Sequence, residues 1–130
     1  MIKRWLIINT IVIGLFLPGC SSVAQPYEVL QGKVTIGPIL PVEQPGVNYE
    51  IPCEVYEARK IMVYDENHKK LIEQVDIDCN GNYHVELDSG SYVIDINRTG
   101  IDHSSDVPAK IEIEPGETIQ LDIDIDTGIR

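Results

Sequence analysis

Residues 76–87 read DIDCNGNYHVEL, and this stretch decides the fold of the chain. Asn80-Gly81 is its strongest turn signal, because the type I′ turn of a hairpin needs φ > 0 at both central residues. After the turn, Tyr83, Val85 and Leu87 alternate with polar residues, which is the two-residue period of a half-buried strand. The stretch therefore predicts a hairpin turn that leads into a strand with one buried face.

The same alternation extends along the rest of the chain. Turn signals separate the segments at 65–68, at 88–90 and at Pro115-Gly116, the last of which is expected to close a final hairpin. Segment 37–53 holds four prolines and indicates a loop, and 54–60 has room for one helical turn. Strands are predicted at 29–36, 60–64, 70–77, 82–87, 91–97, 110–114 and 118–126. Short, evenly spaced strands predict an all-β fold, a single antiparallel β-sandwich of about seven strands.

The first twenty residues have the pattern of an export signal. Lys3-Arg4 precedes the apolar run 6–17, and residues 17–20 read LPGC. The run is shorter than the roughly 20 residues of a transmembrane helix. The pattern resembles a bacterial lipoprotein signal. The resemblance implies that signal 1–19 is removed, that Cys20 carries lipid, with palmitate as the expected kind of acyl chain, and that 20–27 form a lipidated tether. An ordinary secretory signal with an incidental cysteine is the alternative.

The charge of the chain restricts its partners. The formal net charge is −11 and becomes −13 once Lys3 and Arg4 are removed with the signal. Such a surface repels phosphate backbones and anionic head groups, so no nucleic-acid partner is expected and the membrane contact is through the lipid anchor. These features predict a lipid-anchored location in the cell envelope. Ser21 after Cys20 resembles enteric lipoproteins and implies the outer membrane, facing the periplasm, in a Gram-negative host.

Three pieces of the chain carry a family resemblance. They are DIDCNGNY at 76–83, VELDSGSYVI at 85–94 and IEIEPGET at 111–118. Together they resemble the carboxypeptidase regulatory-like domains. The resemblance implies a prealbumin-like sandwich over residues 28–130 and an accessory or adhesive role, with no catalytic residues. The related transthyretin-like hydroxyisourate hydrolases end in Tyr-Arg-Gly-Ser, whereas this chain ends in DTGIR, so that activity is not implied.

Two cysteines, Cys53 and Cys79, remain after the signal. In an oxidising compartment they could form a disulfide, which would stabilise the domain by roughly 3 kcal/mol in the chain-entropy model. Two separate thiols are the alternative. Two cysteines without a neighbouring histidine do not predict a zinc site.

The central turn contains a candidate calcium site. Asp76, Asp78 and Asn80 offer oxygen ligands at alternate positions, followed by Gly81, as at the front of an EF-hand loop. The bidentate glutamate required at the twelfth position is replaced by Leu87. The alternative is a turn whose Asx side chains bind their own backbone. Calcium is the only cofactor that the sequence suggests.

The polar loop 98–107 is the candidate binding surface, with Arg98, Asp102 and His103 as its chemically active side chains. No nucleophile elbow, zinc-protease motif or phosphate loop is present in the sequence. We therefore expect a non-enzymatic, membrane-anchored binding or structural accessory module that serves an unidentified envelope protein. A calcium- or small-ligand-binding periplasmic domain is the alternative, and a hydrolase is a remote one.

Overall fold

The computed structural model describes Gly14 and residues 27–129. In this part of the chain the elements are β1 (Val29–Gly37), α1 (Cys53–Glu57), β2 (Lys60–Asp65), β3 (Leu71–Asp76), β4 (Asn82–Glu86), β5 (Gly90–Ile96), β6 (Ala109–Ile113), β7 (Thr118–Gln120) and β8 (Ile123–Asp126). One sheet has the order β4-β1-β7 with β8 also on β1, and the other has the order β3-β2-β5-β6. The predicted all-β sandwich is confirmed. The predicted signal, apart from Gly14, and Cys20 with residues 21–26 of the tether lie outside the described residues.

The hydrophobic core lies between the two sheets. Its fully buried side chains come from alternate strand positions and are mostly β-branched, a shape that packs well on a pleated surface. They include Leu30, Val34, Ile61, Val63, Ile94, Ile113, Ile123 and Ile125. Tyr83, Val85 and Leu87, which the sequence predicts as one buried face, are all buried.

The last predicted strand, 118–126, is divided into two. β7 and β8 both pair with β1, and both do so in parallel, so this sheet is mixed and residues 27–129 contribute eight strands to the sandwich. The chain leaves the ladder at Leu121, whose carbonyl accepts a hydrogen bond from the Tyr83 hydroxyl. Gly32 of β1 allows this approach, because a Cβ at that position would collide with the Leu121 carbonyl.

Two predicted hairpins are wrong. Tight turns do form, with Gly81 donating to the Asp78 carbonyl (2.9 Å) and Glu117 donating to the Glu114 carbonyl (3.0 Å). However, β3 and β4 belong to different sheets, and so do β6 and β7. The chemistry of a turn specifies a reversal of the chain and does not specify that the strands on either side pair. Both turns therefore carry the chain from one sheet to the other.

Helix α1 lies beside the central turn. Its Tyr56 side chain is buried, and a Cβ added to Gly81 would meet the Tyr56 ring and hydroxyl at 3.2 Å. The structure joins Cys53 of α1 to Cys79 in a disulfide, with the Cα atoms 4.6 Å apart. The helix is thereby fastened to the turn that precedes β4. Within the described part of the chain, no helix has the length and hydropathy needed to cross a membrane.

Candidate functional site

Strand β1 gives the molecule two distinct ends. Glu28, just before β1, accepts a hydrogen bond from the Leu87 amide, and Val29 donates to Glu117, so these residues mark the end at which the chain arrives from residues 20–27. We call this the tether end. Gly37, at the other end of β1, pairs with Asp126 of β8. Nine strand residues place this far end about 26 Å away, at roughly 3.3 Å per residue.

A pocket of about 300 Å³ lies at the far end. Its lining is mostly apolar and comes from four separate parts of the chain. The lining residues are Ile39, Val55, Arg59, Thr99, Gly100, Ile101, Asp102, Thr127 and Ile129. Ile101 is 69% exposed, so an apolar side chain at the rim is largely open to solvent. The volume lies at the lower limit of ligand pockets, which suits a small ligand or one or two side chains of a partner protein.

The floor of this far-end pocket is a buried ion pair. The Arg59 Nε and Nη2 atoms donate to the two Asp102 carboxylate oxygens at 2.8 and 3.1 Å, and Nη1 donates to the Val55 carbonyl at 2.8 Å. The side chains of Arg59 and Asp102 are only 13% and 3% exposed. A two-bond arginine–carboxylate pair is strong and directional, and it leaves little net charge to face a ligand.

Hydrogen bonds between side chains and the backbone hold the pocket walls in place. Asn97 accepts a hydrogen bond from the Lys60 amide (2.6 Å) and donates to the Ala58 carbonyl (3.3 Å), which fixes the start of the 97–108 loop beside the end of α1. The Thr127 hydroxyl donates to the Pro38 carbonyl (2.6 Å). The walls are therefore attached to the sandwich on both sides.

The three predicted loop residues have three different partners. Asp102 is buried and paired with Arg59, so it supports the pocket and is not available to a ligand as a free carboxylate. Arg98 donates to Asp95 at 3.2 Å. His103 forms a backbone bridge with Asp126, the last residue of β8, and thereby covers part of the edge of that sheet. The structure does not bring these three side chains together in one site.

A second polar cluster was missed from the sequence. Asp95 projects from β5 away from the core, yet it is only 7% exposed. His68 Nε2 lies 3.3 Å from its carboxylate, and Arg98 contacts it from the other side. The His68 ring also meets Tyr64 edge-on, with centroids 4.7 Å apart. A single charged residue in the middle of the apolar strand 92–96 was the only sequence signal for this cluster.

Two of the three predicted calcium ligands, Asp76 and Asp78, use a carboxylate oxygen in another contact. Asp76 Oδ1 forms an ion pair with Lys60 Nζ at 2.6 Å. Asp78 Oδ1 accepts the amides of Asn80 and Asn82, both at 2.9 Å, as expected of an Asx residue that binds its own turn. Calcium binding by this turn stays a prediction.

Arg59 was also missed from the sequence, because nothing local distinguishes it from other surface arginines. Its partner Asp102 lies 43 residues away. The one usable hint was its place near the end of the predicted helical turn 54–60, where a basic side chain favours the last carbonyls of a helix. Arg59 does bind such a carbonyl, that of Val55.

Known proteins resemble this chain in fold. No protein-family model and no curated protein matches the sequence. Among solved structures, the minor pilin GBS52 of Streptococcus agalactiae matches with a TM-score of 0.53 and 12% identity, over 78% of this chain and 45% of that chain. A DUF3823 family protein from Bacteroides ovatus has a TM-score of 0.46 and 16% identity over 75% of this chain and 44% of that chain. A DUF3823 family protein from Parabacteroides merdae has a TM-score of 0.45 and 16% identity over 78% of this chain and 46% of that chain.

The chain spans less than half the length of each of these three structures. The match to GBS52 shows the fold alone. It agrees with the fold class that the strand order defines, which is a β-sandwich. This fold is consistent with the predicted prealbumin-like type.

Proposed function

We propose that this protein is a non-enzymatic accessory module of the cell envelope. Lipid on Cys20 anchors it to a membrane, and the far-end pocket binds an apolar group of an envelope protein. The core between the sheets is filled by side chains from both of them, so the sandwich serves as a rigid support for its ends.

The observation that carries the proposal is the course of β1. The chain enters the sandwich at Tyr27, and β1 runs without interruption to Gly37, beside the pocket. An anchor at Cys20 would therefore hold the tether end towards the membrane and the pocket about 26 Å further out. Binding elements are commonly carried on loops at one end of such a scaffold.

The chemistry of the pocket favours an apolar group. Val55, Ile101 and Ile129 supply apolar surface at the walls, and Asp102 neutralises the charge of Arg59 beneath them. The strongly acidic surface would keep the domain away from anionic head groups. GBS52 offers a precedent at the level of the fold, since a minor pilin uses a sandwich of this kind.

Site-specific crosslinking in the native host tests the binding part of the proposal. A photoreactive amino acid replaces Ile101 at the rim of the pocket, or Ile72 as the matched control. Ile72 is 45% exposed and lies near Tyr27 at the tether end. We expect one reproducible envelope protein to crosslink to position 101 and not to position 72. Equal crosslinking at both positions, or none at position 101, would contradict the proposed site.

The anchoring part is tested separately. Wild-type protein should be found in the membrane fraction and should incorporate a palmitate label. The Cys20→Ser variant should lose the label and stay uncleaved. Acylation of the variant at wild-type levels would refute the assignment.

A further inference from the structure

Three potential metal ligands meet where α1 faces the turn after β3. Cys53 and Glu57 are four residues apart on the helix, so they lie on the same helical face. Cys79 faces them from the turn. The two Sγ atoms and a Glu57 carboxylate oxygen all lie within 4.8 Å of one another, and Glu57 Oε1 is 3.4 Å from Cys53 Sγ. Glu57 and Cys79 are exposed, so a metal ion could reach this group without opening the core.

The oxidation state decides what this group can bind. In the disulfide, the two sulfur atoms are bonded to each other and neither is a thiolate. A dithiol reductant can supply two electrons and two protons, which breaks the S–S bond, leaves two thiols and turns the reductant into a disulfide. Zn²⁺ then displaces one proton from each thiol, and two thiolates and one carboxylate become available as ligands.

We propose that the reduced protein binds one Zn²⁺ ion through Cys53, Glu57 and Cys79, with water as the fourth ligand. Thiolate sulfur and carboxylate oxygen are both established zinc ligands, and three protein ligands with one water form a known tetrahedral arrangement. The sequence alone showed two cysteines without a third ligand, and the fold supplies that ligand in Glu57. The ion would fasten α1 to the turn before β4, as the disulfide does in the oxidised protein.

Metal titration of the full chain tests this proposal. Cys20→Ser is introduced so that only Cys53 and Cys79 contribute thiols, and the protein is reduced before metal is added. Co²⁺ serves as the spectroscopic probe, because Zn²⁺ is d¹⁰ and gives no such signal. We expect one equivalent of Co²⁺ to produce a thiolate charge-transfer band and tetrahedral visible bands, and one equivalent of Zn²⁺ to abolish them. The oxidised protein should show neither.

Two single substitutions distinguish this site from unspecific binding to thiols. Glu57→Gln should weaken Zn²⁺ binding by at least about tenfold, since even residues that only support metal ligands are worth about 10- to 100-fold in affinity. Glu54→Gln, an exposed carboxylate on the same helix, should leave the affinity unchanged. Circular dichroism of each reduced variant shows whether it is folded. No binding to the folded reduced protein, equal binding to the oxidised protein, or an unchanged affinity in Glu57→Gln would each overturn the proposal.

Discussion

The two ends of the sandwich are held together by different kinds of contact. At the tether end, the Tyr92 hydroxyl donates to the carbonyl of Asp88, only four residues earlier. At the far end, Arg59 forms an ion pair with Asp102, which is 43 residues away in the chain. The Thr127 hydroxyl donates a hydrogen bond to the carbonyl of Pro38, which is 89 residues away. Distant segments also meet at the tether end, where the Leu87 amide donates to the Glu28 carbonyl and the Val29 amide to the Glu117 carbonyl. Those are backbone hydrogen bonds, whereas the far-end contacts depend on side chains and include a buried ion pair. The far end should consequently be the more sensitive to single substitutions.

The ends also differ in the surfaces that they present. A groove of about 390 Å³ at the tether end includes four carboxylates, from Glu28, Glu73, Glu86 and Asp88. Among the described residues that line the far-end pocket, Asp102 supplies the one carboxylate, and that group is already paired. An acidic end near the proposed anchor and an apolar pocket away from it agree with the division of roles proposed above.

The largest effect is expected from Asp102→Ala. This change leaves the Arg59 guanidinium buried without its counter-charge, which typically costs about 3–5 kcal/mol in the free energy of unfolding. Denaturant unfolding followed by circular dichroism measures the loss. The exposed Asp88→Ala at the tether end is the control and should stay within about 0.5 kcal/mol of wild type. The double change Arg59→Met/Asp102→Leu should recover most of the loss. A loss below about 1 kcal/mol for Asp102→Ala would show that the ion pair does not stabilise the far end more than an exposed pair would.

The second-largest loss of stability is expected when the disulfide is removed. Cys53→Ser with Cys79→Ser should lower the free energy of unfolding by about 3 kcal/mol in the chain-entropy model. Hydrogen exchange should accelerate over residues 53–59 more than over 87–92, because only the far-end helix loses its covalent attachment. Thiol titration of denatured, unreduced wild-type protein should find neither cysteine free. Two reactive thiols per domain would show that the bridge is absent.

A smaller effect is expected at the tether end. Tyr92→Phe removes the donor to the Asp88 carbonyl and leaves the ring in the core, so it should cost about 0.5–1.5 kcal/mol. Thermal and denaturant unfolding of Tyr92→Phe beside Asp102→Ala compares the two ends directly. If Tyr92→Phe were the more destabilising of the two, the tether end and not the far end would be the more sensitive to single substitutions.

The smallest effect concerns acid stability. The amides of Lys69 and then Lys70 lower the pKa of Asp65, and the Lys33 amide followed by the Gln120 side chain lowers the pKa of Asp122. A carboxyl whose pKa is lower in the folded state stabilises the fold above its ordinary pKa, and this contribution disappears as the pH falls through the lowered value. Asp65→Asn should therefore narrow the difference in Tm between pH 7 and pH 3. An unchanged difference in Tm would show that the Lys69 and Lys70 amides on Asp65 contribute nothing to acid stability.

The sequence predicted what local patterns can specify. The two-residue period predicted the buried face of Tyr83, Val85 and Leu87. Glycine at position 81 predicted a turn, and its φ of +84° is a backbone conformation that glycine adopts at little steric cost. The pairing of strands depends on distant contacts, so the chain's crossing from one sheet to the other at that turn was not visible. The parallel pairing of β7 and β8 with β1 was hidden for the same reason.

The candidate site was predicted less well than the fold. Asp102 was singled out as a binding residue because it lies in a polar loop, but burial makes it a structural partner of Arg59. Arg59 itself and the apolar rim at Ile101 acquire their roles only when four separate segments meet. Residue types in a loop indicate chemistry, but they do not indicate which groups are already paired.

The central claim is that the far-end pocket points away from the anchoring membrane. Energy transfer from a fluorophore in the lipidated protein to acceptor dyes in a bilayer tests it most directly, with the fluorophore at position 101 or at position 72. The account predicts clearly weaker transfer from position 101. Equal transfer from the two positions, or stronger transfer from position 101, would contradict it.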